Sequence, residues 1–150
     1  MKKGINVWSF PAGMSQADCI RLAAKTGYDS IELSLDATGD LSLESTDEQI
    51  IAHRKLADEL GIEISSLATG LYWDNPLSHD DPAVRAKAKE IVRFQLKAAK
   101  LLGVDAILVV PGCVNARFIE GCAEMSYDVV YDRALEAMKE IGRASCRERV

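Results

Sequence analysis

The sequence is short of most features that announce a specific chemistry. Its four cysteines, Cys19, Cys113, Cys122 and Cys146, contain no CxxC pair and lack the dense spacing of a cystine framework, so zinc-ribbon and disulfide-scaffold classes drop out and reduced thiols are expected. Only two histidines are present. His53 sits on the apolar edge of a helical stretch, as a structural histidine does, and His79 lies beside Asp80 and Asp81, where Asp81 already serves as a helix cap. No HExxH or GxSxG occurs, which leaves zinc-peptidase and serine-hydrolase chemistry without an anchor. After the first β-rich run stands SFPAGMS instead of GxGxxG or GxxxxGK[ST], removing the main support for a nucleotide-binding sheet. Basic clustering is missing as well: the net charge is -5, the wrong sign for a nucleic-acid partner. No apolar run is long enough to span a bilayer, and Met1-Lys2-Lys3 leads into Gly4, Asn6 and Pro11 rather than a secretory apolar segment. A cytoplasmic protein with no membrane partner is therefore expected.

What is present is an ordinary globular composition, 48% hydrophobic and 27% charged over 150 residues, enough for one core. Residues 5–8 form a β-rich run, and Ser15-Gln16-Ala17-Asp18 opens a helix that stops at Gly27. Residues 30–35 alternate polar and apolar side chains as a strand does. A polar loop follows over 36–44, and Ser45-Thr46-Asp47-Glu48-Gln49 offers two overlapping capping boxes for a helix that ends at Gly61. A third strand is predicted over 62–68. Asp81-Pro82, an N-cap acid before a first-turn proline, then opens a helix with Val84, Ala88, Ile91, Gln95, Ala98 and Leu102 on one side and Gly103 behind it. The apolar run 106–110 predicts a parallel strand covered on both sides, stopping at Pro111-Gly112. A last helix begins near Ser126 with Val130, Ala134, Ala137 and Ile141 on its face.

TGYDSIEL, LGIEISSL and LGVDAILV repeat one device, a helix closed by glycine with a strand a few residues later. Four βα units follow; parallel units of this kind build either an open doubly wound sheet or a closed (β/α)8 TIM barrel of about 250 residues, and four units are half of the latter. Such a half leaves two strand edges unpaired, so the fragment is expected to self-associate. Residues 141–150, IGRASCRERV, differ in character and are identical to one reading frame of a common sequencing adapter. They are expected to be a non-native tail, with residues 1–140 as the partial barrel, and such segments are set aside in fold assignment. In a natural C-terminus, Ile141 and Gly142 would instead be the last helical residue and its cap.

Three stretches carry candidate chemistry. Glu32 alternates with Ile31 and Leu33 and so points away from the helices, into the interior of a barrel, where a carboxylate must be hydrogen-bonded, ion-paired or at the mouth of the site, and a supporting role is expected of it. The same alternation puts Asn6 and Trp8 on the interior side of the first strand, near the end where barrel active sites form. The stretch 63–82, EISSLATGLYWDNPLSHDDP, places Tyr72 and Trp73 beside polar groups on a loop. It reads as one wall of a pocket or, alternatively, as a connector whose rings fold back onto the core.

INVWSF, GYDSIELSLDATGDLSLESTDEQI, SSLATGLYWDNPLSHDDPAVRAKAKEIV and LGVDAILVVPG together resemble the N-terminal half of the sugar phosphate isomerase/epimerase family, the xylose-isomerase-like TIM barrels. Within that family the likeness is greatest to L-ribulose-5-phosphate and L-xylulose-5-phosphate 3-epimerases. The resemblance covers residues 1–140 and implies a sugar-phosphate substrate and a divalent metal (manganese, zinc or magnesium) that polarises a ketose carbonyl while carboxylates move a proton through an enediolate. In the family those carboxylates and a histidine come from later strands. No metal ligand or catalytic base is therefore carried onto this chain, and the fragment is expected to bind no metal and to be inactive alone. The substrate-side candidates are Asn6, Trp8, Glu32, Trp73, Pro111 and Gly112. The competing readings are an apurinic endonuclease of the same superfamily and a non-catalytic α/β binding module.

Overall fold

The computed structural model describes residues 1–116 and 124–148; Cys122 and Arg149 lie outside the described residues. Strand β1 (Gly4–Asn6) is shorter than the predicted run, and Trp8 leaves the sheet. Asn6 is the cause: its Oδ1 accepts the Trp8 N–H at 2.7 Å, and Val7–Ser9 turn as a 3-10 segment behind that cap. Helix α1 (Gln16–Lys25) starts where Ser15 Oγ accepts the Asp18 N–H at 3.1 Å. Strand β2 (Ser30–Ser34) follows, then α2 (Asp47–Leu60), which uses the second of the two capping boxes, Thr46 with Gln49. Ser45 turns back instead, its Oγ accepting the Ser42 N–H at 2.8 Å.

Strand β3 (Glu63–Ala68) pairs with β2, and β2 with β1, all parallel in the order β1-β2-β3. A register shift at Ile31/Glu32 leaves Ser65 without a ladder partner and brings Ser66 opposite Glu32. Helix α3 (Pro82–Leu102) is capped by Asp81 and closed by Gly103 in the left-handed conformation, φ 76°. Five of its six predicted core positions, Ala88, Ile91, Gln95, Ala98 and Leu102, are buried.

The fourth strand is reduced relative to expectation. Residues 106–110 make one isolated parallel bridge, Leu67 to Ile107, through Leu67 N–H to Ala106 O at 3.2 Å and Leu108 N–H to Leu67 O at 3.1 Å. Gln95 explains part of this, since its Nε2 donates to both Leu67 O (2.8 Å) and Leu108 O (3.0 Å) and so occupies carbonyls on either side of the seam. Cover on both faces is also absent: Leu108 is 42% exposed. Helix α4 (Tyr127–Glu148) buries Val130, Ala137 and Ile141. It runs straight through Gly142, which is therefore not a C-cap.

The helices cover one side of the sheet. Ile20 of α1, Ile31 and Leu33 of β2, Ile50 of α2 and Ala98 of α3 form one core, and a second joins α3 and α4 to the β3–α3 loop through Tyr72, Leu77, Ile91 and Ala137. Ile31 and Leu33 are fully buried, and each contributes about 2 kcal/mol by leaving water. A one-residue slip that exchanged them with Glu32 would forfeit both terms, so Glu32 is held on the opposite, open face.

Candidate functional site

On that open face, residues from three strands line up. The ladder sets Asn6 beside Glu32 and Glu32 beside Ser66. Asn6 Nδ2 donates to Glu32 Oε2, and Ser66 Oγ donates to Glu32 Oε1 at 2.7 Å. Both carboxylate oxygens are thus engaged, and the amide and hydroxyl are fixed in orientation by one acceptor between them. Asn6 and Glu32 were legible from strand alternation. Ser66 was not, because without the bulge the alternation does not tell Ser65 from Ser66.

Trp8 does not share this row. From the 3-10 segment it is 56% exposed and lines a hollow of about 320 Å³ with Phe10, Met14, Gln16, Ser34 and Asp36, at the C-terminal end of β1 and β2. Gln16 braces the floor: Oε1 accepts the Ser34 N–H at 2.9 Å and Nε2 donates to Ser34 O. Ser34 Oγ donates to Asp36 Oδ1 at 3.1 Å, and burial pushes the Asp36 carboxyl above its ordinary range. Sequence reasoning missed Gln16, Ser34 and Asp36, since the first looked like part of a helix start and the last like the beginning of a loop.

The loop after β3 divides between the two readings given to it. Tyr72 folds back onto the core, 1% exposed, its hydroxyl donating to Gln95 Oε1 at 2.6 Å; it is not part of a substrate wall, and burial holds its phenol far above the usual value. Trp73 is half-buried in a tight turn, its N–H donating to Gly70 O at 3.1 Å. His79 Nδ1 accepts the Asp81 N–H at 2.9 Å, while Asp81 caps α3. Two arginines clamp the loop: Arg85 donates to His79 O (2.6 Å) and Asp80 O (2.9 Å), and Arg133 of α4 to Ser78 O (2.9 Å) and Asp80 Oδ1 (2.7 Å). The Arg133 hydrogen bond holds the Asp80 carboxyl below its ordinary value. Pro111 and Gly112 are half-buried, and Gly112 lies against the same loop at Ser78. A Cβ on Gly112 would meet Ser78 Oγ at 2.9 Å and Val130 Cγ1 at 3.0 Å, so glycine there permits close packing.

The second histidine-bearing cluster is structural. His53 is 6% exposed, with Nδ1 3.0 Å from Gln49 O and Nε2 3.3 Å from Asp40 Oδ2. Asp40 also accepts the Ala17 N–H at 3.2 Å, tying the β2–α2 loop to the start of α1. Among the described residues no three of His, Cys, Asp and Glu lie together as a metal-ligand set, and Glu32 already spends both oxygens on Asn6 and Ser66. These residues do not fit a divalent metal centre.

Residues 20–150 match the sequence family described as the xylose isomerase-like TIM barrel. The chain belongs to that family. It is 30% identical over 149 residues to an L-ribulose-5-phosphate 3-epimerase of Escherichia coli (strain SMS-3-5 / SECEC), covering 98% of this chain and 47% of the relative. A Shigella flexneri protein of the same description matches to the same extent, 30% over 149 residues. The chain spans about half the length of these curated relatives (47%). Among solved structures, it superposes on a D-psicose 3-epimerase crystallised with D-fructose with a TM-score of 0.80 and 24% identity, covering 99% of this chain and 50% of that one. An L-ribulose 3-epimerase gives a TM-score of 0.70 at 24% identity, covering 100% and 48%. The fold is thus the N-terminal half of a family barrel, an open parallel sheet with helices on one side. Among the described residues no helix is long and apolar enough to cross a membrane.

Proposed function

We propose that this chain forms the substrate-holding half of a ketose-phosphate 3-epimerase that works through an enediolate with a divalent metal. The observation that carries the reading is the Asn6–Glu32–Ser66 row, three polar side chains ordered on the face that a closed barrel turns inward. The names of the curated relatives, L-ribulose-5-phosphate 3-epimerases, supply the substrate class. In this reading Glu32 positions rather than abstracts, since its oxygens are committed. Asn6 keeps a second amide hydrogen, and Ser66 keeps its lone pairs, for substrate hydroxyl groups. Trp8 offers an exposed ring for the apolar face of a sugar, and Trp73 with Pro111 and Gly112 makes the far wall. Manganese, zinc or magnesium would supply carbonyl polarisation. Its ligands and the proton-moving groups are assigned to the part of the relatives that this chain does not span.

The test joins residues 1–140 to the complementary half of the E. coli relative and follows both epimerisation of L-ribulose 5-phosphate and exchange of the C3 proton with deuterated solvent. Turnover that is lost on chelation is expected, and Asn6→Ala should raise KM about tenfold, equivalent to ~1.4 kcal/mol of lost binding. A folded chimera that neither exchanges the proton nor binds either ketose phosphate would overturn the assignment.

A further inference from the structure

The hollow at the C-terminal end of β1 and β2 is lined entirely by residues between Val7 and Asp36. Its walls therefore belong to the first βα unit and the strand beside it. The exposed Trp8 ring stands over a polar floor in which Gln16 and Ser34 are 5% and 1% exposed. Gln16 spends its amide on the Ser34 backbone, which leaves Asp36 as the main free acceptor of the floor. Asp36 Oδ1 accepts from Ser34 Oγ at 3.1 Å, whereas Oδ2 has only a 3.5 Å contact with Gln16 Nε2. The backbone beneath is fixed on both sides, Asp36 N–H donating to Leu41 O at 3.1 Å and Leu43 N–H to Asp36 O at 3.0 Å.

The same hollow is closed to anions. In a βα unit a phosphate commonly sits at the helix N-terminus, whose first N–H groups lack intrahelical partners. At α1 such groups are already taken: Asp40 Oδ2 accepts the Ala17 N–H at 3.2 Å, and Ser15 Oγ the Asp18 N–H at 3.1 Å. Among the described residues that line the hollow there is no lysine or arginine. Two carboxylates stand there instead. Burial first, and the Asp40 charge after it, raise the Asp36 carboxyl, so a further negative group beside it would be opposed.

We propose that Asp36 is a specificity-determining residue: the hollow takes hydroxyl-bearing carbons of a ketose, with Asp36 accepting a hydroxyl hydrogen beside the Trp8 ring, and refuses a phosphate. A carboxylate accepts from sugar hydroxyl groups, but it repels a phosphate ester, which is largely dianionic near neutral pH. The phosphate of a ketose phosphate then lies outside the hollow, and this unit binds the free ketose as well as its ester. The choice of a ketose rests on the sugar-phosphate reading. The preference for hydroxyl over phosphate rests on the hollow alone.

The experiment is a ¹H–¹⁵N NMR titration of the 150-residue chain with L-ribulose, L-ribulose 5-phosphate and inorganic phosphate. The Trp8 indole and the Ser34 and Asp36 amides should shift saturably with both sugars, at dissociation constants within about threefold of each other. Inorganic phosphate should move none of these signals and should not displace L-ribulose. Asp36→Asn, checked for helical content by circular dichroism, should weaken both sugars by about fivefold. If that variant loses its helical signal, Asp36→Glu, which moves the charge by one methylene, takes its place with the same expected weakening. The proposal is overturned by no response to L-ribulose, by an ester that binds more than about threefold tighter than the free ketose, or by displacement with inorganic phosphate. An affinity that is unchanged or raised in the Asp36 variant overturns it too. A folded chimera that exchanges no C3 proton, beside a hollow that still answers L-ribulose and not phosphate, would sink the epimerase reading and leave this inference standing.

Discussion

Replacing Gln95 with leucine probes the one polar side chain sealed inside the α3 stripe. Gln95 is 0% exposed and makes three hydrogen bonds, accepting from Tyr72 Oη and donating to Leu67 O and Leu108 O. Leucine keeps most of the volume. Leu67 O retains the Leu108 N–H, but the Tyr72 hydroxyl and Leu108 O lose their Gln95 partner. With a net ~1 kcal/mol per bond and a desolvation penalty for buried groups left unpaired, Gln95→Leu should cost about 3 kcal/mol. Tyr72→Phe alone should cost about 1 kcal/mol, and the double variant should fall short of the sum by about 1 kcal/mol, because no phenol is then stranded. The assay is urea unfolding followed by far-ultraviolet circular dichroism, at one protein concentration and with all variants in the same association state. A Gln95→Leu protein as stable as wild type, or strict additivity in the cycle, would refute the claim that Gln95 ties the β3–α3 loop to residues 106–110.

Three further outcomes are expected. Gly112→Ala should lower stability by about 1–3 kcal/mol through its clash with Ser78 and Val130, and Ser78→Gly in the same chain should recover part of the loss in thermal melts. At Asp40, burial raises the carboxyl but the bonds from Ala17 and His53 outweigh it, so the folded value is lowered. Its contribution is then present above the ordinary carboxylate range and lost as pH falls through the depressed value. Asp40→Asn should accordingly cost about 1 kcal/mol near neutral pH, a figure discounted for its partial exposure, and converge with wild type in acid, read from urea midpoints across pH. The raised Tyr72 phenol has the opposite sense: as pH climbs above ~10 the unfolded chain ionises while the folded one does not, so stability falls by up to ~1.4 kcal/mol per pH unit. Tyr72→Phe should flatten that alkaline slope.

Much of this fold could be read before any coordinate, and the misses have a common origin. Ser15, Thr46 and Asp81 cap the helices they were expected to cap, and Gly61 and Gly103 close helices with positive φ. Asn6 and Glu32 came from alternation alone and do meet. Trp8 was misplaced because the Asn6 side chain ends β1 early. Tyr72 looked like a pocket ring because its destination, Gln95, lies 23 residues away inside an otherwise apolar stripe. The fourth strand looked complete because an apolar run does not reveal that Gln95, from α3, occupies carbonyls along its seam with β3. Gly142 resembled a cap, yet α4 continues because Ile141 finds a buried seat on α3.

The sequence by itself determined where α1, α2 and α3 begin, where α2 and α3 end, the parallel α/β succession and the sidedness of β2, since these follow from side-chain and backbone groups within about one turn or one pleat of each other. Tertiary structure alone decided that Ser66 and not Ser65 completes the polar row, that Tyr72 is core and that α4 runs on through Gly142. Those outcomes depend on register and packing between segments far apart in the chain, and no local pattern encodes such a relation.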